Sequence, residues 1–199
     1  MSDVSGRRDR LSPSFLTPAE VAELGLASVG ADVQIHRDVR LYGASHISIG
    51  SHVRIDGFTV ITAGAPVVIG NYIHIAGHCG LYGQGGIIME DFSTLSGRVS
   101  VYSVSDDFSG RTMTNPTVPA EFKDVKSAQI RIGRHVIVGA GVVLLPGASI
   151  GEGSAVGALS LVAKPLPEWT VFAGNPVRAI RARRRDLLDL ERRLAEGLP

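Results

Sequence analysis

Aliphatic side chains recur at every sixth position along most of this chain. Val29, Ile35 and Leu41 form one set, and Ile49, Ile55 and Ile61 form the next. Ile69, Ile75 and Leu81, then Met89, Leu95 and Val101, repeat it at intervals of twenty residues. The series resumes at Ile132 and runs unbroken through Val138, Leu144, Ile150, Val156 and Val162. Six is not a multiple of the 3.6 residues of a helical turn, so the period is not helical. A second register sits two residues before each anchor, from Ile47, Val53 and Thr59 through Ile130, Val136 and Val142 to Ser154 and Ser160, and is apolar or small throughout. Alternation at period two marks a strand with one buried face. The pattern is strand, turn, strand, and three strands close a triangular coil of the eighteen residues that separate Ile132 from Ile150. Coils of this kind stack, burying their anchors against the coils above and below at roughly 1.5–3 kcal/mol per aliphatic side chain. The twenty-residue sets carry two extra residues at one corner. The expected fold is an all-β solenoid.

The composition agrees, with 24 glycines and 6% aromatics suiting many tight turns. A net charge of +1 gives no field for nucleic acid. Cys79 is the single cysteine, excluding an internal disulfide, and falls in the inward register, where it reads as a small core residue. No apolar run approaches the ~20 residues of a membrane span. The segment Met1 to Arg10 is polar and lacks the apolar centre of a secretory signal. A cytoplasmic protein with no membrane insertion is expected.

Both ends of the solenoid need covers. Thr17-Pro18-Ala19-Glu20 is a capping box with proline at the first helical position, and Gly25 ends that helix. At the other end, Arg178 to Glu196 reads as a helix with Ile180, Leu187, Leu190 and Leu194 on one side. Its run Arg181, Arg183, Arg184 and Arg185 reads as a solvated face paired with Asp186, Asp189 and Glu191. The chain thus divides into a tail and capping helix (1–28), the solenoid (29–175) and a C-terminal helix (176–199). The period fails between Val101 and Ile132, where Ser105, Asp106, Asp107, Ser109, Gly110, Asn115, Pro116 and Pro119 crowd together. This excursion, 103–130, is read as a binding loop.

The hexads, together with FLTPAEVAELGLASVG, IGNYIHIAGHCGLYGQGGIIMEDFSTLSGRVSVYSVSDDFSG, NPTVPAEFKDV and VFAGNPVRAIRAR, resemble the left-handed β-helix (hexapeptide-repeat) acyltransferases. The likeness runs from Phe15 to about Leu194 and is greatest to the group that acylates nucleotide-linked amino-dideoxy sugars of the dTDP-4-amino-4,6-dideoxyglucose type. Handedness comes with the resemblance, because the ordinary crossover rule gives the opposite hand. The resemblance implies a homotrimer with its active sites in clefts between subunits, and acyl-CoA along the C-terminal coils. It places the cofactor at Gly139-Ala140, at Ala158 after Gly157, at Lys164, and at Gly174-Asn175 before Arg178. Small residues let a pantetheine arm approach backbone amides, and Lys164 and Arg178 suit phosphates. Tyr82, Ser103 and Asn115 are expected to contact the acceptor. No metal is expected.

Many relatives that acylate hydroxyls carry a histidine at the start of the excursion, where this chain has Asp106. A carboxylate, with an ordinary pKa of about 3.9, is a poor base for a sugar hydroxyl. An amine acceptor needs only to be held and relieved of a proton, and Asp106 and Asp107 suit a sugar ammonium. His74 stands between the inward Ile73 and Ile75, with Arg54 and Thr94 as its equivalents on neighbouring coils, and is the candidate assisting group. His52 and His78 fall at corners, His135 at a turn near the cofactor positions, and His36 and His46 near the N-terminal end. The expected activity is transfer of an acetyl or similar acyl group from acyl-CoA to the amino group of a nucleotide-linked amino sugar. The alternatives are O-acetylation of a sugar or other small hydroxylated acceptor, a trimeric zinc enzyme of the carbonic-anhydrase type using His52, His74 and His78, and a non-catalytic scaffold. Outward apolar residues, among them Val60, Val68, Ile88, Ile137, Val143 and Leu161, favour the trimer.

Overall fold

The computed structural model describes residues 14–197, so the reading of Met1–Arg10 lies outside the described residues. Three parallel sheets form the faces of a triangular prism. The first face stacks Ser28–Val29, Ile47–Ile49, Val67–Ile69, Ile87–Met89, Ile130–Ile132 and Ser149–Ile150. The second stacks Gln34–Ile35, Arg54–Ile55, His74–Ile75, Thr94–Leu95, Ile137–Val138, Ala155–Val156 and Thr170–Ala173. The third stacks Arg40–Tyr42, Val60–Ala63, Gly80–Gly83, Ser100–Tyr102, Val143–Leu144 and Leu161–Val162. Both inward registers fill the prism, and Ile55, Ile61, Ile75, Leu81, Leu95, Val101, Val138 and Leu144 are fully buried. The N-terminal coil is the exception. Val29 is exposed and Leu41 half-buried, because no further coil packs on them. The two extra residues of the twenty-residue coils lie at the edge between the third and first faces, where Val60–Ala63 and Gly80–Gly83 run on to four residues.

The short helix α1 (Pro18–Ala22) covers the first coil through Val21. Its capping box is formed, with Thr17 Oγ1 accepting from the Glu20 amide and Glu20 accepting from the Thr17 amide. Arg37 grips both Glu20 oxygens at 2.8 Å. That grip, with the Thr17 amide, holds the Glu20 carboxyl down at about 2.

The edge between the first and second faces is built on a column of left-handed residues: Asp32, His52, Tyr72, Phe92 and His135, continued by Gly153 and Trp169. From His52 to His135 the rings lie one above the next. His52 stacks on Tyr72 at 4.5 Å, Tyr72 on Phe92 at 4.9 Å and Phe92 on His135 at 5.0 Å. The backbone strain of these positions is shared along a ladder of amide-to-carbonyl bonds from coil to coil, such as Tyr72 to Ser51 at 2.9 Å and Phe92 to Asn71 at 2.9 Å.

The C-terminal segment departs from the sequence reading. Arg178–Ala182 is a strand, antiparallel to Thr170–Ala173, and the helix α2 spans only Leu187–Ala195. The open edge of Thr170–Ala173 offers backbone partners that outweigh the helical preference of the arginines and alanines. Of the apolar side of this segment, Leu187 is half-buried while Ile180, Leu190 and Leu194 are exposed. Its attachment is polar. Arg183 donates to the carbonyls of His135 at 2.8 Å, Gly153 at 3.0 Å and Ser154 at 3.2 Å. Glu191 pairs with Arg134 and lies 2.8 Å from His135 Nε2. Arg184 pairs with Asp186, Arg192 with Asp189, and Arg185 lies over the Trp169 ring. Among the described residues no helix is long and apolar enough to cross a membrane.

Candidate active site

The excursion leaves the third face after Tyr102 and returns to the first at Ile130. A two-strand ribbon, Val104–Ser105 against Lys126–Ser127, anchors its base. A cleft of about 770 Å³ opens there, lined by Tyr102, Val104, Ser105, Asp106, Asp107, Phe108, Thr114 and Leu145. An adjoining recess shares Asp106 and Asp107 and adds Arg111, Lys126 and Ala163.

The two adjacent carboxylates differ. Asp107 accepts from the Ser109 hydroxyl at 3.0 Å and from the amides of Ser109, Arg111 and Thr112 at 2.9, 2.9 and 3.1 Å. The Ser109 hydroxyl, followed by these amides, pulls its carboxyl well below the ordinary range. Asp107 therefore organises the loop and is a weak proton acceptor. Asp106 accepts from the Asn115 amide at 3.2 Å through Oδ2 and lines both cavities.

One of the three expected acceptor contacts, Ser103, is structural, and Asn115 is partly engaged in a turn. Ser103 is fully buried, donating to the Tyr82 carbonyl at 2.7 Å and accepting from the Gly85 amide at 2.8 Å. Its hydroxyl closes the turn into the loop and is not available to a substrate. Asn115 takes a positive φ of 74°, and its side chain accepts from the Thr117 amide and hydroxyl at 2.9 and 2.6 Å. It builds a turn, while its own amide supports Asp106. Tyr82 is half-exposed and stacks on Tyr102, which lines the cleft.

The expected cofactor positions fall on two edges of the prism. Gly139-Ala140, Gly157-Ala158 and Ala173-Gly174 stack at the edge between the second and third faces. The coils are close there: a Cβ on Gly139 would stand 2.6 Å from the Ala158 nitrogen, so only glycine fits. Ala140 and Ala158 are exposed at the turn tips, and Arg178, paired in register with Ala173, and Asn175 stand at the end of the same edge. Lys164, by contrast, follows Leu161–Val162 and turns at the edge between the third and first faces, next to Ala163 of the loop recess. Within one chain Asp106 and Lys164 share one edge, and Gly139, Ala158, Gly174 and Arg178 the other.

His74 projects outward from the second face, with Arg54 and Thr94 in register on either side. The sequence reading missed its partner. Asp56, eighteen residues earlier, lies 2.8 Å from His74 Nε2 and accepts from Arg54 Nε at 2.7 Å. Burial opposes ionisation of Asp56, but the bonds from His74 and Arg54 outweigh it and hold the carboxyl below its ordinary value. Asp56 sits on the edge that carries Gly139 and Gly157, so the pair faces that side of the prism. His78 is on the same edge but stacks on Phe58, and His52 is on the edge shared by the first and second faces. The three histidines of the zinc reading thus point from separate places and do not converge. His135, expected near the cofactor, lies instead under α2 and is buried, with its pKa lowered by that burial and then by Arg134 and Arg183. Burial pushes the Cys79 thiol up, and its Sγ donates to the Ser96 carbonyl at 3.2 Å.

Residues 129–164 match the family model of bacterial transferase hexapeptides (six repeats). The chain is 41% identical over 179 residues to dTDP-4-amino-4,6-dideoxy-D-glucose acyltransferase of Escherichia coli, across 89% of this chain and 93% of that protein. It belongs to the hexapeptide-repeat acyltransferases. Its solenoid is the left-handed β-helix of that family. AntD, an N-acyltransferase from Bacillus cereus solved with dTDP and 3-hydroxybutyryl-CoA, superposes with a TM-score of 0.90 at 42% identity, over 92% of this chain and 97% of that one. A variant of AntD with a serine replaced, solved with dTDP-4-amino-4,6-dideoxyglucose and coenzyme A, gives a TM-score of 0.91 at 40% identity, over 94% of this chain and 100% of that one. The likeness to a putative lipopolysaccharide O-acetyl transferase of Escherichia coli is confined to 69 residues, 35% of each chain.

Proposed function

We propose that this acyltransferase moves an acetyl or similar acyl group from acyl-CoA to the amino group of a dTDP-linked 4-amino-4,6-dideoxy sugar. The reading is carried by likeness along nearly the whole chain to relatives that take such sugars and an acyl-CoA, whereas the O-acetyl relative matches only a third. The loop supports it, since an aspartate rather than a histidine stands at its entrance. The neutral amine attacks the thioester carbonyl, the carbon–sulfur bond breaks, and the amine proton is taken up as the CoA thiol leaves. Asp106 orients the sugar nitrogen, which binds as the ammonium and attacks after losing one proton to water. His74, held by Asp56, is the assisting group, and Cys79, buried and inward, forms no acyl-enzyme. Backbone amides at the turns of the Gly139 edge stabilise the oxyanion. Lys164 and Arg178 take phosphates.

The assembly in this reading is a cytoplasmic homotrimer. The separation of Asp106 and Lys164 from the Gly139 edge supports it, because one subunit's loop edge laid against another's turn edge completes a site. Exposed Val68 and Ile137 supply apolar surface for such packing, at 39% and 40% exposure.

The test is incubation of the purified protein with acetyl-CoA and dTDP-4-amino-4,6-dideoxyglucose, followed by product mass and treatment with mild alkali. An alkali-stable adduct is expected. An alkali-labile ester on a sugar hydroxyl, with the amino group untouched, would establish O-acylation instead.

A further inference from the structure

Resting on the reading of His74 as the assisting group, we infer that Phe15 and Arg54 are its positioning residues and act on it through Asp56. In the stretch Ser14-Phe15-Leu16-Thr17, Leu16 packs against the core, which leaves Phe15 on the outer side by strand alternation. The stretch lies beside Gln34–Ile35 at the N-terminal end of the second face, with an antiparallel bridge between Phe15 and His36. The Leu16 amide donates to the Ile35 carbonyl at 2.9 Å, and the Arg37 amide donates to the Ser14 carbonyl at 3.0 Å. The backbone of Phe15 is thus held on both sides, and the capping box of α1 begins two residues on at Thr17. Its ring stands edge-on to His36 at 5.6 Å. His36 is fixed in turn. Its Nδ1 accepts from the Asp38 amide at 3.1 Å, and a Cβ on Gly57 would stand 2.8 Å from that atom, so the ring fits there only against a glycine.

Arg54 lies one coil further on, in register with Gln34. Its guanidinium carbon stands 5.2 Å from the centre of the Phe15 ring, and its Nε donates to Asp56 Oδ1 at 2.7 Å. The other oxygen, Oδ2, lies 2.8 Å from Nε2 of His74 on the following coil. One line of contacts therefore joins Phe15, Arg54, Asp56 and His74 across successive coils. The pair of Arg54 and Asp56 needs the ring. The Arg54 side chain is 54% exposed, and an exposed ion pair by itself barely offsets the entropy of holding a long side chain in one rotamer. A guanidinium over an aromatic face gains a second attraction of similar size, which keeps Nε aimed at Asp56. With Oδ1 engaged by Arg54, the Asp56 carboxylate is held in the orientation that presents Oδ2 to His74. Loss of Arg54 frees Oδ1, and the imidazole then lacks the fixed carboxylate that sets its tautomer and direction. Neither Phe15 nor Arg54 touches the reacting atoms in this reading; both act through the His74 ring.

The experiment is steady-state kinetics on the full chain and its Phe15→Leu, Phe15→Tyr and Arg54→Met variants, each made both with His74 and in a His74→Ala background. Phe15→Leu keeps apolar bulk without the π face and is expected to lower kcat about threefold, in the range of one exposed cation–π contact. Phe15→Tyr keeps the ring and is expected to restore the parental kcat. Arg54→Met keeps the stem without the cation and is expected to lower kcat about fivefold, through misorientation of the imidazole. KM for acyl-CoA is expected to stay at the parental value in all three. In the His74→Ala background the same substitutions are expected to change nothing further, because residues that act through one group are not additive. A merely structural role would lower the rate by the same factor in both backgrounds. That result, or a parental kcat in either Phe15→Leu or Arg54→Met, overturns the positioning role and leaves His74 as the assisting group. A parental rate in His74→Ala alone removes the assisting group itself, and the positioning role goes with it.

Discussion

His74 Nε2 lies 2.8 Å from Asp56 Oδ2, one coil away, and Arg54 holds the same carboxylate at 2.7 Å. The carboxylate fixes the ring orientation and favours the tautomer with its proton on Nε2, leaving the Nδ1 lone pair outward. If His74 assists proton removal, His74→Ala is expected to lower kcat by about a hundredfold, within the usual range for loss of general base assistance. Asp56→Asn is expected to lower it in the same direction by about tenfold, with little change in KM for acyl-CoA. Steady-state kinetics with both substrates decides. Unchanged kcat in both variants would reduce the pair to a surface ion bridge.

The adjacent carboxylates of the loop are expected to separate in their effects. Asp106→Asn should raise KM for the acceptor about tenfold and leave the loop in place, because its one backbone donor is retained by the amide oxygen. Asp107→Ala removes the acceptor for the Ser109, Arg111 and Thr112 amides and should loosen the whole excursion. Limited proteolysis reads the difference: cutting within 103–130 should accelerate in the Asp107 variant and not in the Asp106 variant. Equal protection in both would show that Asp107 does not order the loop.

These differences mark where the sequence is legible. The solenoid is written in it because every coil repeats one local pattern, so Ile55, Ile75 and Leu95 announce their burial without any knowledge of distant residues. The loop is legible as an interruption, since Asp106 and Asp107 break the period. The partner of His74 is not legible, because Asp56 is eighteen residues away and meets it only after the coil closes. Ser103 has ordinary substrate-binding chemistry, and only the folded turn, where its hydroxyl bridges the Tyr82 carbonyl and the Gly85 amide, consumes it. Arg178–Ala182 reads as helix until the free edge of Thr170–Ala173 is known to lie beside it.

The C-terminal attachment should govern stability more than catalysis. Arg183→Ala strips a partner from the His135, Gly153 and Ser154 carbonyls and is expected to cost about 1–3 kcal/mol. Thermal denaturation should show a Tm lower by several degrees. His135 adds a pH dependence. Its folded pKa lies below the ordinary value of about 6.5, so the unfolded chain binds the proton first. Its contribution is complete above that ordinary value and is lost as pH falls through the depressed one. His135→Phe preserves the stack on Phe92 and should flatten the acid side of the Tm profile below about pH 6.5. An unaltered profile would assign the acid sensitivity to other groups.

The division of the site between two edges of the prism gives the strictest prediction. Asp106 lies on the edge between the third and first faces, and Arg178 closes the edge between the second and third. If one subunit supplies the loop and its neighbour the cofactor edge, a variant damaged at Asp106 and another damaged at Arg178 each spoil every site in their own homotrimer. Mixed by unfolding and refolding together, they form hybrids in which some sites draw both intact edges from different subunits. Random assembly makes about a quarter of the sites intact, since each edge comes from an undamaged subunit half of the time. Assayed with acceptor and acyl-CoA well below their KM values, the refolded mixture is therefore expected to recover about a quarter of parental activity from the intact sites, above the low rate of each variant refolded alone. Activity no greater than the average of the two variants would mean that each subunit carries its whole site, and the two edges would then have to be served by one chain.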